Sequence, residues 1–83
     1  MNCCIGVTSR PNDRREEWEG QAVGLRNWQV LARSPSRSEA QNFARKYAEH
    51  DRCLLATEGD EPDGMYLTWY VYRFDYESIS SLK

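Results

Sequence analysis

Hydrophobic and polar residues follow two periods along the chain, and the switches between them mark out its elements. Cys3 to Thr8 is β-prone, with Ile5 and Val7 on alternate positions. Ser9-Arg10-Pro11-Asn12 breaks that strand. Pro11 suits the first turn of a helix, where a missing N–H costs nothing. Asp13 to Glu19 is rich in helix formers, so residues 11–19 read as a short helix closed by a left-handed Gly20. Residues 20–27 read as a loop. Trp28 to Arg33 predicts a second strand, ended by Ser34-Pro35-Ser36. Ser36-Arg37-Ser38-Glu39 matches a capping box, in which Ser36 and Glu39 satisfy each other's backbone N–H groups. Ala40, Phe43, Ala44, Tyr47 and Ala48 then recur at the spacing of one helical face, which predicts an amphipathic helix running to about His50.

Cys53 to Thr57 predicts a third strand. Glu58-Gly59-Asp60-Glu61-Pro62-Asp63-Gly64 is an acidic turn. Met65 to Tyr76 is a long β-prone run with two alternating faces. Met65, Leu67, Trp69 and Val71 form one, and Tyr66, Thr68, Tyr70, Tyr72, Phe74 and Tyr76 form the other. The order β-α-β-α-β-β implies an α+β fold, with two helices covering a small, mainly antiparallel sheet of three to four strands. Residues 1–76 are expected to form one domain and residues 77–83, serine-rich, a flexible tail.

Composition narrows the class. The chain has 83 residues, 40% of them apolar and 29% charged, which is a globular balance rather than a disordered one. No apolar run approaches the roughly 20 residues that span a bilayer, and no secretory signal opens the chain, so no membrane is expected. The net charge of −2 does not indicate a strongly basic nucleic-acid binder. Its distribution is uneven: nine basic and seven acidic residues lie in 1–52, two and six in 53–83. Such asymmetry reads first as ordinary solvated charge and second as a basic end presented to phosphate.

Cys3, Cys4 and Cys53 are odd in number and lack CxxC spacing, and His50 is the single histidine. Neither a structural zinc site nor a disulfide scaffold is expected from them. Reduced cysteines in a cytoplasmic protein are, with Cys3 or Cys4 half-buried in a strand. His50 reads as an end-of-helix cation rather than a general base. Cys53 has no evident base partner. Glu58, Asp60, Glu61 and Asp63 lack calcium-loop spacing and read as a solvated turn. No metal site is expected.

One cluster carries a family resemblance. Ile5-Gly6-Val7-Thr8 is followed by Arg14, eight places after Gly6, with Arg15 beside it and Trp18 one helical turn further on. In these residues the chain resembles the GIY-YIG nuclease family over roughly residues 4–57. The resemblance implies that Gly6 ends a signature strand and that Arg14 faces a phosphodiester, where a guanidinium stabilises developing charge. The chain departs from the family pattern in two places. Cys4 replaces the tyrosine before the second signature, and the strand that should precede Ile5 has no room, although Tyr70-Val71-Tyr72 looks like that strand in another chain position. Glu39-Ala40 matches the acidic-alanine pair that precedes the family's metal-binding glutamate, and the glutamate's own position falls on Ala44. A methyl group binds no divalent cation.

The expected function is therefore a small binding module that engages nucleic acid, or a nucleic-acid-processing protein, without cleavage. Its nucleic-acid residues would be Gly6, Thr8, Arg10, Arg14, Arg15 and Trp18. The rings of Tyr66, Tyr70, Tyr72, Phe74 and Tyr76 are expected to pack against the first helix through Trp18 or to form a homodimer surface; left exposed, that face would be the interface for a protein partner. The first alternative is a metal-dependent GIY-YIG-type endonuclease using Mg²⁺ or Mn²⁺, with Arg14 catalytic and Glu39 or Glu49 supplying the carboxylate. The second is an acidic protein-interaction or inhibitor protein of mobile-element origin.

Overall fold

The architecture comes from a computed structural model that describes residues 2–56 and 68–79. Strand β1 (Asn2–Thr8) leads into helix α1 (Pro11–Gln21). A short strand β2 (Ala22–Val23) and a long strand β3 (Arg26–Ser34) follow. Helix α2 (Arg37–Asp51) returns the chain to β4 (Leu54–Leu55). Strands β5 (Trp69–Tyr76) and β6 (Ser78–Ile79) complete the described chain. The main sheet has the order β3-β5-β1-β4, with β1–β5 and β5–β3 antiparallel and β1–β4 parallel. This is the expected α+β class.

β5 takes a central place because both of its faces are apolar. Trp69 and Val71 point to one side, and Tyr72, Phe74 and Tyr76 are buried on the other. β1 behaves alike, with Ile5 on the first side and Cys4 on the second. Helix α2 covers the first side through Ala40, Ala44 and Ala48, whose small side chains seat the helix against Ile5, Trp69 and Val71. Trp18 of α1 and Trp28 of β3 cover the second side. Phe43, expected on the buried stripe, is exposed instead. It lies about 100° around the helix from Ala44, beyond the close contact the alanines set. Tyr47 packs at the margin of that core.

The caps explain where the helices stop. Ser36 Oγ accepts from the backbone N–H of Glu39 at 3.3 Å, as the capping box requires. The N–H of Ser36 donates to Ser34 Oγ at 3.0 Å, so Ser34, buried, takes the return role expected of Glu39. α2 ends with Arg52 in the left-handed region (φ 58°), and the N–H groups of Arg52 and Cys53 both reach the carbonyl of Ala48. α1 does not end at Gly20, which stays helical; the helix runs on to Gln21 and Ala22 is extended. Residues 20–27 are not a plain loop, because β2 pairs with β6. That pairing also corrects the expected tail: residues 77–79 are tied down, with Glu77 N–H donating to the Val23 carbonyl at 2.8 Å.

The cysteine expectation is overturned. Cys3 and Cys53 form a disulfide, with Cα atoms 4.8 Å apart, while Cys4 is buried outside it. The pairing was illegible because the residues stand 50 positions apart and meet only when β4 docks parallel to β1. The cytoplasmic expectation loses the reduced thiols it rested on. Among the described residues, no helix is long and apolar enough to cross a membrane.

Candidate functional site

Arg14 and Trp18 share one face of α1, four residues apart, and the way that helix begins places them both. Thr8, fully buried at the end of β1, accepts a hydrogen bond on Oγ1 from the N–H of Arg10 at 3.0 Å. This turns the chain so that Pro11 opens the helix. Arg10 is the N-cap residue, and its side chain makes no cap hydrogen bond. α1 contains no fully buried residue and reaches the sheet chiefly through Trp18.

Trp18 donates from Nε1 to the Tyr72 hydroxyl at 2.9 Å and tilts over Phe74, with ring centroids 5.1 Å apart. Trp28 stacks on Tyr72 from β3, at 4.8 Å between centroids and 12° between planes. Asn27, in the left-handed region at φ 57°, stands at a bulge just before Trp28 and donates from Nδ2 to Asp75 Oδ2. Gly6 lies directly opposite Tyr72 on β5. A Cβ at position 6 would overlap the tyrosine ring and hydroxyl. The glycine expected to admit a phosphate therefore makes room for an aromatic ring of the core. The run Tyr70-Val71-Tyr72 does lie beside β1, in antiparallel register with Gly6-Val7-Thr8.

The tyrosine face is spent inside the molecule. Tyr72 and Phe74 are fully buried, Tyr76 is 8% exposed, and Tyr70 is half-buried. The expected packing of these rings against the first helix through Trp18 is found for Tyr72 and Phe74, and the alternative of an exposed protein interface is corrected: Trp18 and Trp28 cover the rings, which removes apolar area from water. Tyr66 and the acidic turn 58–63 lie outside the described residues.

Outside that core, Arg10, Asp13, Arg14, Glu16 and Glu17 line a surface depression of about 430 Å³. The side chain of Arg14 is only 19% exposed, and its Nη1 sits 2.8 Å from Glu17 Oε2. Arg15 is half exposed and lies 3.7 Å from Glu19. Cations and carboxylates thus alternate over α1. Of the expected nucleic-acid residues, Arg10, Arg14 and Arg15 are on this surface. Gly6 and Thr8 are buried beneath it, and Trp18 is taken up by Tyr72.

The position aligned with a metal-binding glutamate is Ala44, 1% exposed in the seam of α2 and the sheet. That seam is on the face opposite Trp18, so a carboxylate there would not meet Arg14. Glu39 and Glu49 are exposed on the same helix α2. No group of three metal-ligating side chains occurs among the described residues.

A second charged cluster was not foreseen. At the C-terminal end of α2, Asp51 pairs with Arg73 of β5 at 2.8 Å and accepts from His50 Nδ1 at 2.8 Å. The His50 hydrogen bond, helped by the Arg73 charge, holds the Asp51 carboxyl below its ordinary value. Asp75 stands 3.8 Å from Arg73 on the same strand face. The alternation of Arg73 and Asp75 was visible in the sequence, but their partner on α2 was not. Comparisons with family models, with curated proteins and with solved structures found no match to this chain.

Proposed function

We propose that the chain is a binding module that engages a charged protein partner through the α1 surface, without phosphodiester chemistry of its own. One observation carries the choice of partner. Between Arg10 and Gln21, three cations (Arg10, Arg14 and Arg15) alternate with four carboxylates (Asp13, Glu16, Glu17 and Glu19), and Arg14 and Arg15 are already paired. Nucleic-acid affinity comes largely from cations that displace counterions from phosphate. Paired cations among carboxylates supply little of that, whereas mixed charge suits a protein surface of complementary pattern. The absence of cleavage is supported by the place of Ala44, which is core.

Nucleic acid is the second reading, favoured by Arg10 and Arg14 sharing one depression beside the uncapped start of α1. On either reading the likeness to GIY-YIG domains is a proposal of ancestry. It is supported by the antiparallel pairing of Gly6 with Tyr72.

A titration with labelled single-stranded and branched DNA, at low and high salt and with Mg²⁺, Mn²⁺ or chelator, separates the readings. The expected result is no salt-sensitive binding and no cleavage, together with a protein partner retained by the wild type and lost by Arg10→Glu at unchanged thermal stability. Salt-sensitive DNA binding lost in Arg10→Ala overturns the protein reading in favour of nucleic acid. Cleavage abolished by chelator overturns both.

A further inference from the structure

We propose that the Cys3–Cys53 disulfide is a redox-operated clasp that holds β4 against the edge of β1. Apart from the disulfide, β4 has a short attachment, flanked by Cys53 at the margin of the α2 core and Ala56 at the margin of the aromatic core. It is two residues long, its register with β1 covers Cys4↔Leu54 and Ile5↔Leu55, and one further hydrogen bond runs from Ala56 N–H to the Ile5 carbonyl at 2.8 Å. Leu54 and Leu55 remain 43% and 36% exposed, so their burial holds the strand weakly. By contrast, β1 pairs with β5 along its whole length, from Asn2↔Tyr76 to Thr8↔Tyr70. α2 is seated independently by Ala40, Ala44 and Ala48. Opening the bond therefore leaves both cores and α2 in place and frees the edge strand alone.

The surroundings suit a clasp rather than a thiol-exchange catalyst. Cys3 and Cys53 are both half-buried, within reach of a small thiol. Each sulfur lies 3.9 Å from the Asp51 carbonyl, at the C-terminal end of α2. Exchange catalysts use the opposite end of a helix, whose dipole favours the thiolate. Closing the clasp joins the two sulfurs and releases two protons and two electrons. Glutathione disulfide accepts them and becomes two molecules of glutathione. A dithiol reductant reverses the step and is itself oxidised to a disulfide. Once open, the side of Cys4–Ile5 away from β5 faces no strand among the described residues, which is the condition in which a sheet edge accepts another chain.

The test is amide hydrogen exchange on the full chain, equilibrated with glutathione disulfide or with a dithiol reductant, below the melting temperature of each form. Intact mass, two hydrogens lighter when oxidised, reports the bond. Exchange at Ala56, whose N–H bonds the Ile5 carbonyl, is expected to rise about tenfold or more on reduction, while Val71, Tyr72 and Ala44 stay protected to the extent that the lower global stability allows. The Cys3→Ser/Cys53→Ser variant is expected to reproduce the reduced pattern in either medium. Failure of the bond to form in glutathione disulfide overturns the proposal. So does equal exchange at Ala56 in both states. Complete loss of protection throughout the chain, or a reduced form that does not fold, overturns it as well, because the edge strand would then not open separately from the core.

Discussion

Gly6 shows how one residue's chemistry is read differently by a motif and by a core. Its missing side chain is occupied by the ring of Tyr72, which in turn takes the Trp18 indole N–H. Gly6→Ala is therefore expected to destabilise the protein by about 2 kcal/mol or more through overpacking, read as a lowered Tm. Tyr72→Phe does not rescue it, because the overlap includes the ring as well as the hydroxyl. His50 makes a different kind of contribution. The Asp51 carboxyl is held below its ordinary value of 3.8, first by the His50 hydrogen bond and then by the Arg73 charge. A folded-state value below the unfolded one adds stability that is present above the unfolded value and lost as pH falls through and below it. His50→Ala removes the first cause. The fall in Tm between about pH 5 and pH 3 is expected to be smaller in this variant than in wild type.

α2 and α1 differ in what secures them. α2 has a side-chain cap, a left-handed C-cap and three buried alanines, whereas α1 has no fully buried residue, packs on the aromatic core through Trp18 and carries a charged exterior. Restoring a carboxylate at the aligned position is accordingly a test of packing rather than of catalysis. Ala44→Glu places a charge between α2 and Ile5, Trp69 and Val71. It is expected to cost about 3 kcal/mol or more, seen in chemical denaturation, and to produce no Mg²⁺-dependent nicking of DNA. α2 was legible in the sequence because cap and periodicity agree over its length. Its C-terminus, its Ser36 cap and its alanine stripe stood where the pattern placed them. The exchange of partner at the cap, from Glu39 to Ser34, was not legible, since Ser34 gains its position from the end of β3.

For the molecule as a whole, the disulfide acts on stability through the unfolded chain. It closes a loop spanning 50 positions and so constrains most of the elements before β5. Loop-closure entropy at this separation amounts to at most about 4 kcal/mol, a large share for a domain of this size. Reduction is expected to lower Tm markedly, measured by circular dichroism with and without a dithiol, and to leave far-UV spectra at low temperature nearly unchanged. The α1 surface is insulated from that bond. Trp18 packs with the aromatic cluster on one side of the sheet, whereas Cys53 packs with the α2 cluster on the other.

What the sequence determined by itself was local. Alternation in residues 3–8 and 69–76, the capping box and the 3.6-residue spacing of alanines each act within a few positions, and the elements formed accordingly. The α+β class followed from their order. Tertiary structure decided everything that needed two distant segments to meet. It put the tyrosines inward because Trp18 and Trp28 arrive to cover them, and joined Cys3 to Cys53 because β4 runs parallel to β1. It also placed Ala44 and Arg14 on opposite sides of the sheet. A motif specifies spacing along the chain, but which face of a shared sheet each helix covers depends on packing the whole core at once.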